Sequence, residues 1–344
     1  MTALVARNAE ITLFARKWIP QPGIRFERCS PPSLGRLSRD WGFARAVCTR
    51  LGRESFDLVQ SHERLTCCDV YRAGDGVHRA WLERRAGGKL RWQDRLTPYH
   101  RYVMATEKAL FESPRLRAVI CNSRMVRDEI LARFAIAPEK LHVIYSGVDL
   151  ETFHPRHRQG REERLASLGI PREAPVFLFV GSGFARKGLA ATMEALARGP
   201  AESCLIVLGQ DKDAARYQAL AAHLGLGRRV HWAGAVPDPA AWYGLGQALV
   251  LPTVYDPFPN VVLEAMASGL PILTSHACGG AELIREGRNG YVRDDVEGLA
   301  EAMGRLCEPG HARELGHNAR TAVEPYSLEA MSGRLIDLYT RLLT

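Results

Sequence analysis

An α/β fold built as two domains on parallel sheets is predicted by three features of the sequence. Short aliphatic and β-branched runs alternate with amphipathic stretches along the chain, which is the pattern of βα units. With 344 residues the chain exceeds the length at which one hydrophobic core usually keeps growing, so two domains of about 150 to 180 residues are expected. The charge divides in the same place: residues 1–148 hold 26 Lys and Arg against 15 Asp and Glu, and the remainder holds 20 against 23. The two halves therefore face different partners.

The expected boundaries are a first domain at 1–147, a second at 148–325, and a last helix at 326–344 that packs back on the first. A hydrophobic content of 46% and a charged content of 24% suit a globular protein. No apolar run is long enough to span a bilayer, and MTALVARNAEITLFARKW lacks the continuous apolar stretch and cleavage site of a signal peptide, so a cytoplasmic protein is expected. The eight cysteines show no CxxC spacing. Mostly buried reduced thiols are expected, not a zinc ribbon or a disulfide framework.

In the first half the expected strands are ITLFA (11–15), FDLVQ (56–60), CDVYRA (68–73), AVICN (118–122) and KLHVIY (140–145). Ser123 then caps a helix whose apolar residues Met125, Val126, Ile130, Leu131 and Phe134 recur at helical spacing. Segment 78–108 mixes Arg and Lys with Trp81, Trp92, Tyr99 and Tyr102. Such a mixture suits an anionic membrane surface, where basic heads meet phosphates and rings sit at headgroup depth; a solvated basic face is the alternative. Nucleic acid is not expected as a partner, because no helix-turn-helix, RRM or zinc signature accompanies the charge.

Polar, irregular SGVDLETFHPRHRQGREERLASLGI follows and is expected to connect the domains. The second series of strands comprises APVFLFVG (174–181), SCLIVLG (203–209), RVHWAG (229–234), ALVLPT (248–253) and PILTS (271–275), after which the chain is helical.

Two stretches of this second series carry chemistry. VFLFVGSGFARKGLAATMEALA runs from a buried strand through a glycine-rich turn into a helix expected to begin near Lys187. Gly181 and Gly183 let a ligand approach the backbone, and Arg186 and Lys187 stand where a helix N-terminus favours an anion. This outlines a diphosphate site, although it matches neither GxGxxG nor a Walker loop. DPFPNVVLEAMASGLP places Asp256 before a helix opened by Pro259 or Asn260 and closed by Gly269 and Pro271. Glu264 falls inside that helix among apolar neighbours, where an acid needs a partner; a ligand, a basic side chain or a helix amide would serve. Asp211-Lys212-Asp213 looks like a DxD metal motif but sits on the wrong loop, and is set aside.

The set GSGFARKG, LIVLGQD, HWAGAV, DPFPNVVLEAMASGLPIL, CGGAELI and RNGYV resembles, in order and spacing, the C-terminal domain of family 4 retaining glycosyltransferases. The resemblance implies the GT-B fold, with two Rossmann-like doubly wound domains facing a cleft. In that family the Arg and Lys of the glycine loop bind the donor diphosphate, which implies Arg186 and Lys187. The later acid of E-x7-E binds the ribose, implying Glu264. The earlier acid contacts the donor sugar, implying Asp256, here one methylene short and followed by Pro259 where a glycine is usual. Gly181, Gly183, Gln210, Asn260 and Val261 complete the implied donor site.

Further likeness in CDVYRAGDGVHRAWLERR, YHRYVMATEKALFE and GQDKDAARYQALAAHLGL points to the lipopolysaccharide core heptose glucosyltransferase I group. This implies transfer of glucose from UDP-glucose to an inner-core heptose at the inner face of the bacterial cytoplasmic membrane, with peripheral anchoring through segment 78–108. It makes Asp75 a candidate catalytic or acceptor-orienting acid, or else a loop Asp before Gly76. His62, His78, Arg84, Arg85, Trp92, Arg95 and Arg101 are the acceptor and membrane candidates. Metal independence is implied, because two cations at the diphosphate do the electrostatic work. The N-terminus departs from the family: ALVARNAEITLFARKWIP aligns with the end of a first helix and a second strand. A first strand, its glycine loop and most of a helix would normally precede it, so a domain truncated at its first βα unit is expected. Another GT-B activity, on a different glycan or as an epimerase, and an inactive truncated remnant are the alternatives.

Overall fold

The computed structural model describes residues 2–5 and 9–344. It divides into two compact units, one formed by Met1–Tyr145 with Glu329–Thr344 and the other by Ser146–Leu328.

In the first unit β1 (Ile11–Ala15) and β2 (Ile24–Arg28) pair in parallel, with Ile11 opposite Ile24. A separate four-stranded parallel sheet has the order β3 (Gln60–Ser61), β4 (Val70–Ala73), β5 (Ala118–Cys121), β6 (Leu141–Val143). β5 is buried along its length, as a strand covered on both faces must be, and so reads as an unbroken apolar run. The strand expected at 56–60 shrinks to two residues. β2 was not expected, because IRFER interleaves charges with its apolar residues and lies in a sheet of only two strands.

The C-terminal helix Leu328–Leu343 completes this unit's core. Leu338 joins Val70, Ala118, Ile120 and Ile144, with Met331, Leu335, Tyr339 and Leu342 packed alongside. Their spacing of three and four residues gives the helix one apolar stripe. A second cluster gathers Cys29, Phe43, Val47 and Leu65 beneath the helix Gly35–Leu51. Beside it Cys48 and Cys67 form a disulfide, the exception to the mostly reduced thiols expected. Of the others, Cys29, Cys68, Cys121, Cys204 and Cys278 are free and buried, and Cys307 is free and half-buried.

The second unit holds six parallel strands: β7 (Val176–Val180), β8 (Cys204–Leu208), β9 (Val230–Gly234), β10 (Ala248–Leu251), β11 (Ile272–Thr274) and β12 (Gly290–Val292). Their order is β12-β11-β10-β7-β8-β9. The chain builds outward from β7 to β9, then returns to the other side of β7 with β10. Strand order reverses between β7 and β10, and crevices at the carboxyl ends of such strands are where doubly wound sheets bind ligands. Both motif stretches follow these two strands.

The polar segment after Ser146 is not a bare connection. It forms the turn Pro155–Arg158 and the helix Arg161–Ser167, docked by arginines on backbone carbonyls. Arg158 donates to Gly246 at 3.0 Å, Arg161 to Leu245 at 3.0 Å and Arg164 to Ala241 at 2.8 Å. Arginine side chains here do what apolar residues do elsewhere, so the segment reads as linker.

Candidate functional site

The glycine loop after β7 depends on backbone shapes that other residues resist. Gly181, Gly183 and Gly188 have φ of 131°, 77° and 81°, and a Cβ at Gly188 would stand 2.0 Å from the Pro252 carbonyl oxygen. Gly188 thereby separates an additional turn at Phe184–Lys187 from the expected helix, which runs over Leu189–Arg198. Arg186 and Lys187 end the short turn directly before the longer helix.

Asp211, set aside in the sequence, holds this loop. Its carboxylate accepts the Phe184 amide at 2.8 Å and the Asp213 amide at 2.9 Å. Backbone N–H groups of Asp213, Phe184 and Gly183 keep its pKa below the usual range, as bonds to the charged form do.

On the β10 side, Thr253 donates its hydroxyl to the Arg186 carbonyl at 2.8 Å and the Val254 amide donates to the same oxygen at 2.8 Å. The two motif loops are thus stitched together. Asp256 is 6% exposed, and its Oδ2 accepts Arg186 Nη1 at 2.7 Å and Lys187 Nζ at 3.3 Å. Arg186 also donates to the Tyr255 carbonyl at 3.1 Å. Asp256 itself is fixed by backbone bonds, its amide to Ala277 and its carbonyl to the Gly279 amide, the latter within the CGG stretch. Two cations meet one carboxylate, and such a cluster retains positive charge for an anion.

The helix Asn260–Ala267 begins after Pro259 with no side-chain cap. Asn260 is exposed, Val261 half-buried, and Gln210 exposed just beyond β8. Glu264 is half-buried, and the partner it needs is the Tyr243 hydroxyl, which donates to Oε2 at 2.7 Å; among the described residues neither a basic side chain nor a helix amide is bonded to its carboxylate. Burial pushes the Glu264 pKa up, while the Tyr243 bond and the Lys187 charge draw it back. Tyr243 and Asp211 were missed as site residues; the one signal for Tyr243 was the demand of Glu264 for a partner.

The first-unit candidates do not gather into one cluster. Asp75 projects from the turn after β4 with its side chain 82% exposed, 4.0 Å from Arg64 Nη1. Arg64 instead bonds the buried Glu107 at 2.9 Å, and the His78 amide reaches the same Oε1 at 2.9 Å. The rings of His78 and His100 meet at 2.9 Å; burial and then Arg64 push the His78 pKa down to about 3. His62 is exposed beside Gln60. Arg84 bonds Glu129 at 3.2 Å and Arg85 bonds Asp94 at 2.7 Å, with Arg85 also 4.5 Å above the Trp81 ring. Trp81, Tyr99 and Tyr102 are half-buried, whereas Trp92, Arg95 and Arg101 are exposed. Segment 78–108 is therefore partly internal, and only its outer residues form a surface.

Comparison with known proteins bears on both units. The family model described as Glycosyltransferase Family 4 matches residues 1–152, and that described as Glycosyl transferases group 1 matches residues 174–309. The chain is 26% identical over 351 residues to the lipopolysaccharide glucosyltransferase WaaG of Escherichia coli K12, covering 98% of this chain and 92% of that protein. A crystal structure of WaaG superposes with a TM-score of 0.86 at 23% identity, covering 98% and 93% of the two chains. HepE from Anabaena, in complex with UDP-glucose, superposes with a TM-score of 0.73 at 18% identity over 93% and 86%.

Proposed function

This chain belongs to the family 4 glycosyltransferases and has their GT-B fold, and on that premise we propose that it moves glucose from UDP-glucose, with retention, onto an inner-core heptose of lipopolysaccharide. The observation that carries the reading is the convergence of Arg186 and Lys187 on Asp256 at the reversal of the sheet. Departure of a nucleoside diphosphate leaves charge on the β-phosphate, and two preorganised cations stabilise it as it develops. Glu264 holds the ribose hydroxyls, and Asp256 both keeps the cations together and reaches the sugar being transferred. The Gly181–Gly183 loop, Gln210, Asn260 and Val261 line the donor, and Asp75 is the first unit's candidate for binding the acceptor. The electrostatics call for no metal.

Support for the glucose donor comes from the WaaG relative and the UDP-glucose bound by HepE. The test is transfer from UDP-glucose to a heptose-terminated acceptor, with the anomeric linkage of the product read by NMR. Glucosylated product with an α linkage is expected. Release of UDP without acceptor product would favour a second reading, another GT-B sugar-nucleotide activity, which the short Asp256 and the Pro259 position favour.

Among the described residues no helix is long and apolar enough to cross a membrane. Peripheral attachment at the cytoplasmic membrane's inner face is proposed for the first unit. Exposed Trp92 and Leu96 lie on the helix Trp92–Leu96, and Leu34, Leu37 and Trp41 project from the start of the 35–51 helix. Arg36, Arg45, Arg91 and Arg95 accompany them, a combination suited to anionic headgroups.

A further inference from the structure

We infer that Tyr243 is a positioning residue for the nucleotide: its hydroxyl clamps one carboxylate oxygen of Glu264, leaving the other aimed at the ribose. The inference rests on Glu264 holding the ribose.

Tyr243 closes the one-turn helix Ala240–Tyr243 and is fully buried. Its ring meets the edge of Phe153 at 5.7 Å and 79°. The turn beneath it is pinned, since Arg164 donates to the Ala241 carbonyl and a Cβ at Gly244 would stand 2.0 Å from the His157 carbonyl oxygen. The hydroxyl is thus delivered by rigid packing to Glu264 Oε2, at 2.7 Å. A carboxylate has several acceptor sites and a terminal torsion that is broad rather than staggered. One charge-assisted bond on Oε2 fixes the plane of the group, and Oε1 is left to accept the two ribose hydroxyls.

The same bond holds Glu264 in the form that accepts. Burial favours the neutral acid, while Tyr243 and the charge of Lys187 favour the carboxylate. Of the other elements against the helix, the 311–323 helix contributes Arg320, which bonds the Ala267 carbonyl beyond Glu264. Removing the Tyr243 hydroxyl therefore raises the Glu264 pKa, and the acid side of nucleotide binding is lost at higher pH.

The experiment measures Kd for UDP, GDP and ADP across the acid-to-neutral range for the parent, Tyr243→Phe, Glu264→Gln and the double variant; ribose is common to all three ligands. Tyr243→Phe is expected to weaken the tightest of these ligands about tenfold, the scale of a bond to a charged group, and to move the acid limb of the profile upward relative to the parent. In the Glu264→Gln background the same change should have little further effect. A purely structural tyrosine would lower Tm without moving that limb. If Glu264→Gln weakens binding while Tyr243→Phe leaves both Kd and limb unchanged, the Tyr243 role is overturned and the ribose reading stands. If Glu264→Gln binds like the parent, the ribose reading itself falls.

Discussion

Each unit buries a carboxylate against an arginine, and the two clusters differ in their balance of charge. In the first unit Glu107 takes Arg64 and the His78 amide on one oxygen, and exposed Asp75 lies 4.0 Å from the same arginine. In the second, Asp256 takes two cations on one oxygen, and a positive charge is left over. The first arrangement leaves no cation unmatched and holds the loops after β3 and β4 to the helix Pro98–Phe111, while Glu107 Oε2 is buried without a hydrogen-bond partner among the described residues. The second stands where strand order reverses and carries a surplus for a ligand to answer. Burial of an ion pair says little about function; the charge left after pairing, and its place on the sheet, say more.

Perturbing the first cluster should cost stability and spare nucleotide binding. Glu107→Gln leaves Arg64 without its close carboxylate, and a loss of about 3 kcal/mol is expected, the scale for breaking a buried pair. Denaturant unfolding measures it, and an unchanged UDP Kd completes the contrast. Reducing the Cys48–Cys67 bridge, or replacing both with Ser, should cost up to about 3 kcal/mol by releasing a loop of this length. Thermal unfolding with and without a thiol reductant reads this, again with nucleotide affinity unmoved.

Perturbing the second cluster should do the reverse. Asp256→Asn keeps the volume but weakens the hold on Arg186 and Lys187, so turnover with the sugar nucleotide should fall by about ten- to a hundredfold. UDP itself should bind no worse, since a competing negative charge is gone; steady-state kinetics beside calorimetry separate the two effects. The smallest effect is expected outside both clusters: Trp92→Ala should weaken cosedimentation with phosphatidylglycerol vesicles severalfold, the scale of one aromatic anchor among several, and leave turnover on a water-soluble acceptor intact.

Much of the second unit could be read from the chain alone because its constraints are local. Buried parallel strands are unbroken apolar runs, the glycine loop shows in Gly181, Gly183 and Gly188, and Pro259 and Gly269 bracket a helix. β12 escaped because GYV is three residues long and opens with glycine. What stayed hidden depends on contacts between distant positions. Tyr243 lies 21 residues from Glu264 and Asp211 lies 27 from Phe184, and no periodicity links either pair. Cys48 and Cys67 are 19 apart, a spacing that carries no motif. In the first unit the mixed aromatic and basic segment 78–108 looked uniform, because composition cannot tell Trp81, stacked under Arg85, from Trp92, which faces solvent.

The central claim is that Arg186 and Lys187 grip a diphosphate, and it is tested most directly by comparing calorimetric affinities for UDP and for uridine. The parent protein should bind UDP far more tightly than uridine, and the Arg186→Ala, Lys187→Ala double variant should lose about a hundredfold or more of that advantage while its uridine affinity is retained. A double variant that keeps the parent's preference for UDP over uridine would contradict the account.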